Sequence, residues 1–252
     1  MQQPSVDLCR YFLKDSVRKT TDFSATGQSQ GLPPPPVEKP YSPDAERIDL
    51  LPPADFQTLP GLDLLSAISN RHSRRQFTDS PLTLDELSLL LWATQGIRER
   101  SAGGHILRTV PSAGNRHALE TYLCIRNVQG LDSGFYRYLP LEHQLLVECR
   151  DERAAQKLAL AAFQQNWMST SAAVFIWSAI PYRTEWRYGL AAHKVILLDA
   201  GHVCQNLYLA CQPIAAGTCA VAAYDQDMMD QLLRLDGKDE FVIYMAAVGK
   251  VS

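Results

Sequence analysis

AAVFIWSAI, residues 172–180, is a nearly unbroken apolar run of strand length. Alternating apolar and polar residues would mark a strand with one wet face; a continuous run marks one buried on both faces. Such a strand needs a covering layer on each side, and its neighbours in the chain can supply them. DERAAQKLALAAFQQ, residues 151–165, predicts a helix with Asp151 as its N-cap. AAHKVILLDAGHVCQNLYLACQPIAAG, residues 191–217, predicts a long helix ended by Pro213 or Gly217. Further strands are expected in ETYLCIRNV (120–128), FYRYL (135–139), QLLVECR (144–150), GTCAVAAY (217–224) and FVIYMAAVG (241–249). Helices are expected in LDLLSAISN (62–70), DQDMMDQLLRL (225–235) and SPLTLDELSLLLWATQG (80–96). In the last of these Thr83 and Glu86 form a capping-box pattern, and Gly96 is a C-terminal stop. Helices and strands mix without regular βαβ alternation, which gives an α+β sheet covered by helices.

The bulk properties fit a globular protein. A chain of 252 residues with 46% hydrophobic and 20% charged residues buries a substantial core. A net charge of −3 argues against broad nucleic-acid or membrane-surface binding. The N-terminal residues carry no apolar signal core and no run is long enough to span a bilayer, so the cytoplasm is the expected location. Six cysteines occur without a Cys-x-x-Cys pair, so no metal site or redox dithiol is expected, and Cys204, Cys211 and Cys219 read as buried thiols.

Residues 1–60 differ from the rest. Pro33 to Pro36 favour polyproline II, and proline recurs through to residue 60. The expectation is an extended proline-rich arm over residues 1–60, lying on a domain over 61–252 through Tyr41, Ile48, Leu50, Leu51 and Phe56.

Two stretches carry chemistry. NRHSRRQF, residues 70–77, gathers Arg71, His72, Arg74 and Arg75 around Ser73. Arginine binds phosphate through parallel hydrogen bonds, so the stretch suits a phosphate; a solvated charged loop would have the same composition. Neither Gly-x-Gly-x-x-Gly after a strand nor a P-loop occurs, so a Rossmann or P-loop nucleotide site is excluded. The second stretch is Pro111, Ser112, Ala113, Gly114 and Asn115, a loop of small residues before a strand. Small residues let backbone groups approach a flat ligand, and Asn115 can donate and accept at a heterocycle edge; a plain turn would use the same residues.

NRHSRRQF, PSAGNRHALETYL and LLDAGHVCQNLYLACQPIAAGTCAVAAYD, in that order, resemble the FMN-dependent nitroreductase family, and within it the azoline (thiazole/oxazole) dehydrogenase subgroup. The resemblance covers about residues 61–250. It implies a central, mainly antiparallel sheet flanked by helices, and a homodimer with FMN at the interface. It implies that Arg71, Ser73 and Arg75, with His72 beside them, hold the flavin phosphate and ring edge. Pro111 to Asn115 match the loop that reaches the flavin from the partner subunit, and Ala222 and Ala223 match the segment near flavin N5. Lys250 would add a cation to the phosphate, or is an exposed terminal lysine.

Arg187 and Tyr188 fall where the azoline dehydrogenases carry a Lys-Tyr pair, which would make them the catalytic pair. Arginine stays protonated and is a poor base, so Arg187 suits a substrate carboxylate better. Asp199, His202 and Asn206 share one face of the long helix and suit hydrogen bonds across its packing. His117 is the histidine nearest the flavin loop, with Glu120 three residues on. The resulting expectation is an FMN oxidoreductase moving hydride between a nicotinamide donor and a small electron-poor acceptor. The alternatives are an azoline dehydrogenase acting on a modified peptide and a non-catalytic flavin-fold scaffold.

Overall fold

The computed structural model describes residues 5–101 and 105–252. Its strands are β1 (Arg47–Asp49), β2 (Ile97–Arg100), β3 (Ile106–Arg108), β4 (Leu119–Ile125), β5 (Gly134–Leu139), β6 (Gln144–Arg150), β7 (Ala173–Ala179), β8 (Ala216–Val221) and β9 (Phe241–Lys250). Its helices are α1 (Val6–Leu13), α2 (Leu64–Asn70), α3 (Leu84–Gln95), α4 (Ala154–Ala161), α5 (Tyr182–Tyr188), α6 (Ala192–Ala210) and α7 (Gln226–Leu232). Seven strands form one sheet in the order β1-β6-β5-β4-β7-β9-β8, with every neighbouring pair antiparallel. β2 and β3 form a separate hairpin.

The apolar run at 173–179 lies between β4 and β9, and all of its residues are buried. Phe175 and Trp177 face a core shared with Leu87, Leu91, Val203 and Leu207 of α3 and α6. Val174 and Ile176 face the opposite core, with Leu158 of α4 and Met229 of α7. The alternation of a strand thus divides one apolar run between two cores.

Local chemistry sets the helix ends. Both bonds of the Thr83–Glu86 capping box are present at the start of α3. Gly96 ends that helix, but at a φ of −64°, so left-handed freedom is not what it supplies. A Cβ there would run into the Trp92 side chain. Asp151 sits two residues ahead of the cap of α4, which is Arg153; it accepts from the Arg153 N–H at 3.0 Å and pairs with Lys157 at 2.6 Å. α6 ends at Ala210, ahead of Pro213. Cys204, Cys211 and Cys219 are buried free thiols. Among the described residues no helix is long and apolar enough to cross a membrane.

The proline-rich segment meets the sheet at several points. Arg47–Asp49 pairs with β6 as an edge strand. Leu50 is buried, and the Phe56 ring meets Trp92 at 5.5 Å. Residues 37–40 are held by side chains of the sheet and of the β2–β3 hairpin. Arg108 donates to the Val37 carbonyl at 2.7 Å, Arg137 donates to the Lys39 carbonyl at 2.8 Å, and Glu120 accepts from the Lys39 N–H at 2.8 Å.

Candidate functional site

The cationic segment runs beside the free edge of β8. Ser73 bridges to Thr218 in parallel register, and the Arg74 N–H donates to the Thr218 carbonyl at 2.9 Å. Gly217 makes this approach feasible, because a Cβ there would lie 2.5 Å from Arg74 Cγ. Tyr208 of α6 pins the segment from below. Its hydroxyl lies 3.0 Å from Ser73 Oγ and accepts from the Ala220 N–H at 3.0 Å, while the Arg71 guanidinium lies over its ring at 5.2 Å. Arg75 lies over the Trp167 ring at 5.9 Å. His72, Ser73 and Arg75 are exposed and Arg71 is half-buried. Among the described residues none of these arginines is paired with a carboxylate. Past the end of β8, Ala222 and Ala223 are also exposed, and the Ala223 carbonyl accepts from Gln165 at 3.0 Å.

Pro111 to Asn115 form a second cluster. Asp199 of α6 accepts from the Ala113 N–H at 3.1 and 3.2 Å, and Ser112 Oγ accepts from the His117 N–H at 2.9 Å. Burial raises the Asp199 carboxyl above its ordinary value, while hydrogen bonds from Ser112 and Ala113 act against the rise. Asn115 donates to the Ile106 carbonyl at 2.9 Å, and its Oδ1 lies 2.7 Å from His117 Nε2. His117 is buried, and burial together with Arg108, Arg116 and Arg183 pushes its imidazole down to about 3. It is therefore neutral at physiological pH, and its Nε2–H donates to Asn115 Oδ1 as a fixed hydrogen bond. Glu120 points elsewhere, to Arg183 and the Lys39 N–H.

Arg187 and Tyr188 come to this second cluster. A Cβ on Gly114 would lie 2.6 Å from the Tyr188 hydroxyl and 2.8 Å from Arg187 Cδ. Arg187 is exposed and Tyr188 half-buried. Arg116 joins them; its Nε donates to the Gly114 carbonyl at 3.1 Å. Sequence reasoning passed over Arg116, whose only signal was its place directly after the small-residue loop.

The two clusters attach to α6 at Asp199 and Tyr208. Those residues are separated by nine positions, about 13 Å at the helical rise. Lys250 belongs to neither cluster. Its Nζ contacts Glu86 Oε1 at 2.5 Å and the Ile214 carbonyl at 2.7 Å, tying the end of β9 to the start of α3. Of the other α6 candidates, Asn206 donates to the Ala93 carbonyl at 2.8 Å and His202 is exposed. Among the described residues no group of three or more His, Cys, Asp or Glu could hold a metal.

Residues 68–250 match the Nitroreductase family. A nitroreductase-type protein of Methanocaldococcus jannaschii is 33% identical over 189 residues, covering 75% of this chain and 91% of its own. A nitroreductase-type crystal structure from Anabaena variabilis superposes with a TM-score of 0.75 at 24% identity, over 100% of this chain and 49% of that one. This chain thus spans about half the length of that Anabaena protein. A chain of the Escherichia coli microcin synthetase McbBCD complex, with truncated pro-MccB17 bound, superposes with a TM-score of 0.61 at 16% identity, over 100% of this chain and 99% of that one.

Proposed function

The chain belongs to the nitroreductase family, and we propose that it is an FMN-dependent oxidoreductase moving hydride from a nicotinamide donor to a small electron-poor acceptor. The observation that carries this reading is the segment 71–75, fixed beside β8 with Arg71 and Arg75 paired with no carboxylate among the described residues. These residues fit the proposed group: two guanidinium groups and a hydroxyl stand on one strand-like segment, with Gly217 allowing it to lie close to the sheet. Arg71, Ser73 and Arg75, with His72 beside them, would hold the phosphate and ring edge, and Ala222 and Ala223 would offer exposed backbone to the ring. When bound, FMN supplies the hydride chemistry that no side chain here can supply.

The site is proposed to be shared between two copies of the chain. The loop Pro111–Asn115 and the cationic segment attach to well-separated points of α6, so we assign the loop to the partner's flavin. Arg187 stays protonated and cannot abstract a proton; its role is to bind and orient. Tyr188, held against Gly114, offers a hydroxyl to the same space. Donor and acceptor would occupy this one cleft in turn, giving ping-pong kinetics.

The purified protein should be yellow, with FMN rather than FAD released on denaturation. Arg75→Ala should keep its circular dichroism and bind FMN about tenfold more weakly, since one charge-assisted bond contributes roughly 1.5–3 kcal/mol. Unchanged FMN affinity in that variant would overturn the assignment.

A second reading is dehydrogenation of an azoline in a modified peptide. Its support is the place of Tyr188 against the small-residue loop, together with the resemblance of NRHSRRQF, PSAGNRHALETYL and LLDAGHVCQNLYLACQPIAAGTCAVAAYD to that subgroup. Oxidation of a thiazoline-containing peptide in oxygen, with the flavin left yellow by NADH and NADPH under anaerobic conditions, would select it.

A further inference from the structure

Two guanidinium groups meet at Gly114. Arg116 Nε donates to the Gly114 carbonyl at 3.1 Å, and Arg187 Nε lies 2.9 Å from the point where a Cβ of residue 114 would stand. Each is laid over an aromatic ring of α5: Arg116 over Trp186 at 5.0 Å, Arg187 over Tyr188 at 5.6 Å. Stacking fixes a guanidinium plane and leaves its N–H edge free to donate. Among the described residues neither arginine is paired with a carboxylate. Arg183, on the same helix, shows the contrast, since it is buried and bonded to Glu120. Helix α5 therefore carries one arginine committed to the core and holds two others open beside the loop.

The arrangement is repulsive as it stands. Burial, and then the Arg187 charge, hold the Arg116 guanidinium below its ordinary value. Two like charges on stacked, restrained side chains lose that repulsion when an anion bridges them, and guanidinium edges match the paired oxygens of carboxylate and phosphate.

We propose that Arg116 and Arg187 form a clamp for an oxyanion, carboxylate or phosphate, on the ligand that enters the cleft beside Pro111–Asn115. The proposal rests on the flavin reading in placing that ligand on the redox path, and it narrows the substrate class to acidic acceptors or a phosphorylated donor.

The test uses two matched pairs, 4-nitrobenzoate against 4-nitrobenzamide and NADPH against NADH. Binding is read in phosphate-free buffer by tryptophan fluorescence, with Trp186 beneath Arg116 as reporter, in both flavin-loaded and flavin-free protein. The acidic member of at least one pair should bind more tightly. Arg116→Gln and Arg187→Gln should each weaken that member by about tenfold and leave its neutral or less charged counterpart within about twofold. Arg187→Lys, which keeps charge without the fork, should fall between wild type and Arg187→Gln. Preference confined to 4-nitrobenzoate assigns the clamp to an acidic acceptor, and preference confined to NADPH assigns it to the donor's extra phosphate. If neither form of the wild-type protein prefers the acidic member of either pair, the clamp is overturned. A protein that refuses FMN yet shows the preference would keep the clamp and sink the flavin reading.

Discussion

At Gly114 the backbone takes a φ of 59°, and an added Cβ would enter the space of the Tyr188 hydroxyl and the Arg187 side chain. Gly114→Ala therefore meets two penalties, backbone strain and displacement of both proposed substrate-facing groups. Denaturant titration should report a loss of about 1–3 kcal/mol, and the KM for the acceptor should rise in parallel. Wild-type values for both would show that the loop can move aside freely. Asp199 tests the other side of the same loop. Asp199→Ala leaves the Ala113 N–H without its acceptor and should lower turnover about tenfold, whereas Asp199→Asn keeps an oxygen there and should recover most of it. Equal loss in the two variants would mean that the negative charge matters rather than the hydrogen bond. These partnerships were only half legible in the sequence. Helical spacing put Asp199, His202 and Asn206 on one face, but spacing cannot say that Asp199 reaches Ala113 and Asn206 reaches Ala93. Arg116 was invisible for the same reason, since its meaning comes from Trp186 and Arg187, some seventy positions away.

The longer, more periodic elements could be read directly, because apolar spacing and caps are local signals. β7 and α3 are examples, and the β5–β6 hairpin falls where its two short runs placed it. The elements that escaped have no such signal. Ile97–Arg100 alternates poorly and is mostly charged, and it is a strand only because Ile106–Arg108 pairs with it. α5 is one short stretch, YRTEWRY, whose buried face includes an arginine, so apolar periodicity misses it. α2 shows the reverse. Leu65 and Ile68 have core-like spacing, yet they are 79% and 53% exposed, which leaves the helix with an apolar surface. The cationic segment is extended because β8 and Tyr208 hold it, not because NRHSRRQF favours strand. Tyr208→Phe should expose that dependence. It removes the hydroxyl shared by Ser73 and the Ala220 N–H, and FMN affinity measured by flavin fluorescence should fall by roughly fivefold, within the range of one hydrogen bond. No change would mean that the arginines hold their geometry without it.

Composition separated residues 1–60 from the remainder, but the hydrogen bonds of the folded chain cross that line. Arg108, Glu120 and Arg137 are each at most 5% exposed and all take partners from residues 37–40. Removal of residues 1–40 would take the Val37 and Lys39 backbone partners away from these buried charges, at a cost of about 1.5–3 kcal/mol for each hydrogen bond to a charged group. The shortened chain should lose its cooperative thermal transition, and a Tm close to that of the full chain would show that water replaces the segment. Glu38 gives the same contact a pH signature. Its carboxylate is buried and accepts from the Leu141 N–H at 3.0 Å. Burial, with smaller contributions from Glu142 and Glu120 and against the pull of Leu141 and Arg108, pushes the acid from 4.5 up to about 7. Between those two values the folded chain keeps a proton that the unfolded chain has released. Its contribution to stability is therefore complete below about pH 4.5 and disappears as pH rises to about 7. His117 acts in the opposite sense at lower pH. Its proton is lost on folding, so its contribution grows as pH rises from about 3 to 6.5. The two effects separate in a comparison of wild type with Glu38→Gln, because His117 is common to both and cancels in the difference. The amide resembles the protonated acid and still offers Leu141 an oxygen. The two proteins should share nearly the same Tm near pH 4.5, and the wild type should fall progressively below the variant by pH 8. Parallel curves across that interval would mean that Glu38 is ionised throughout in the folded chain, with its charge balanced by Arg108.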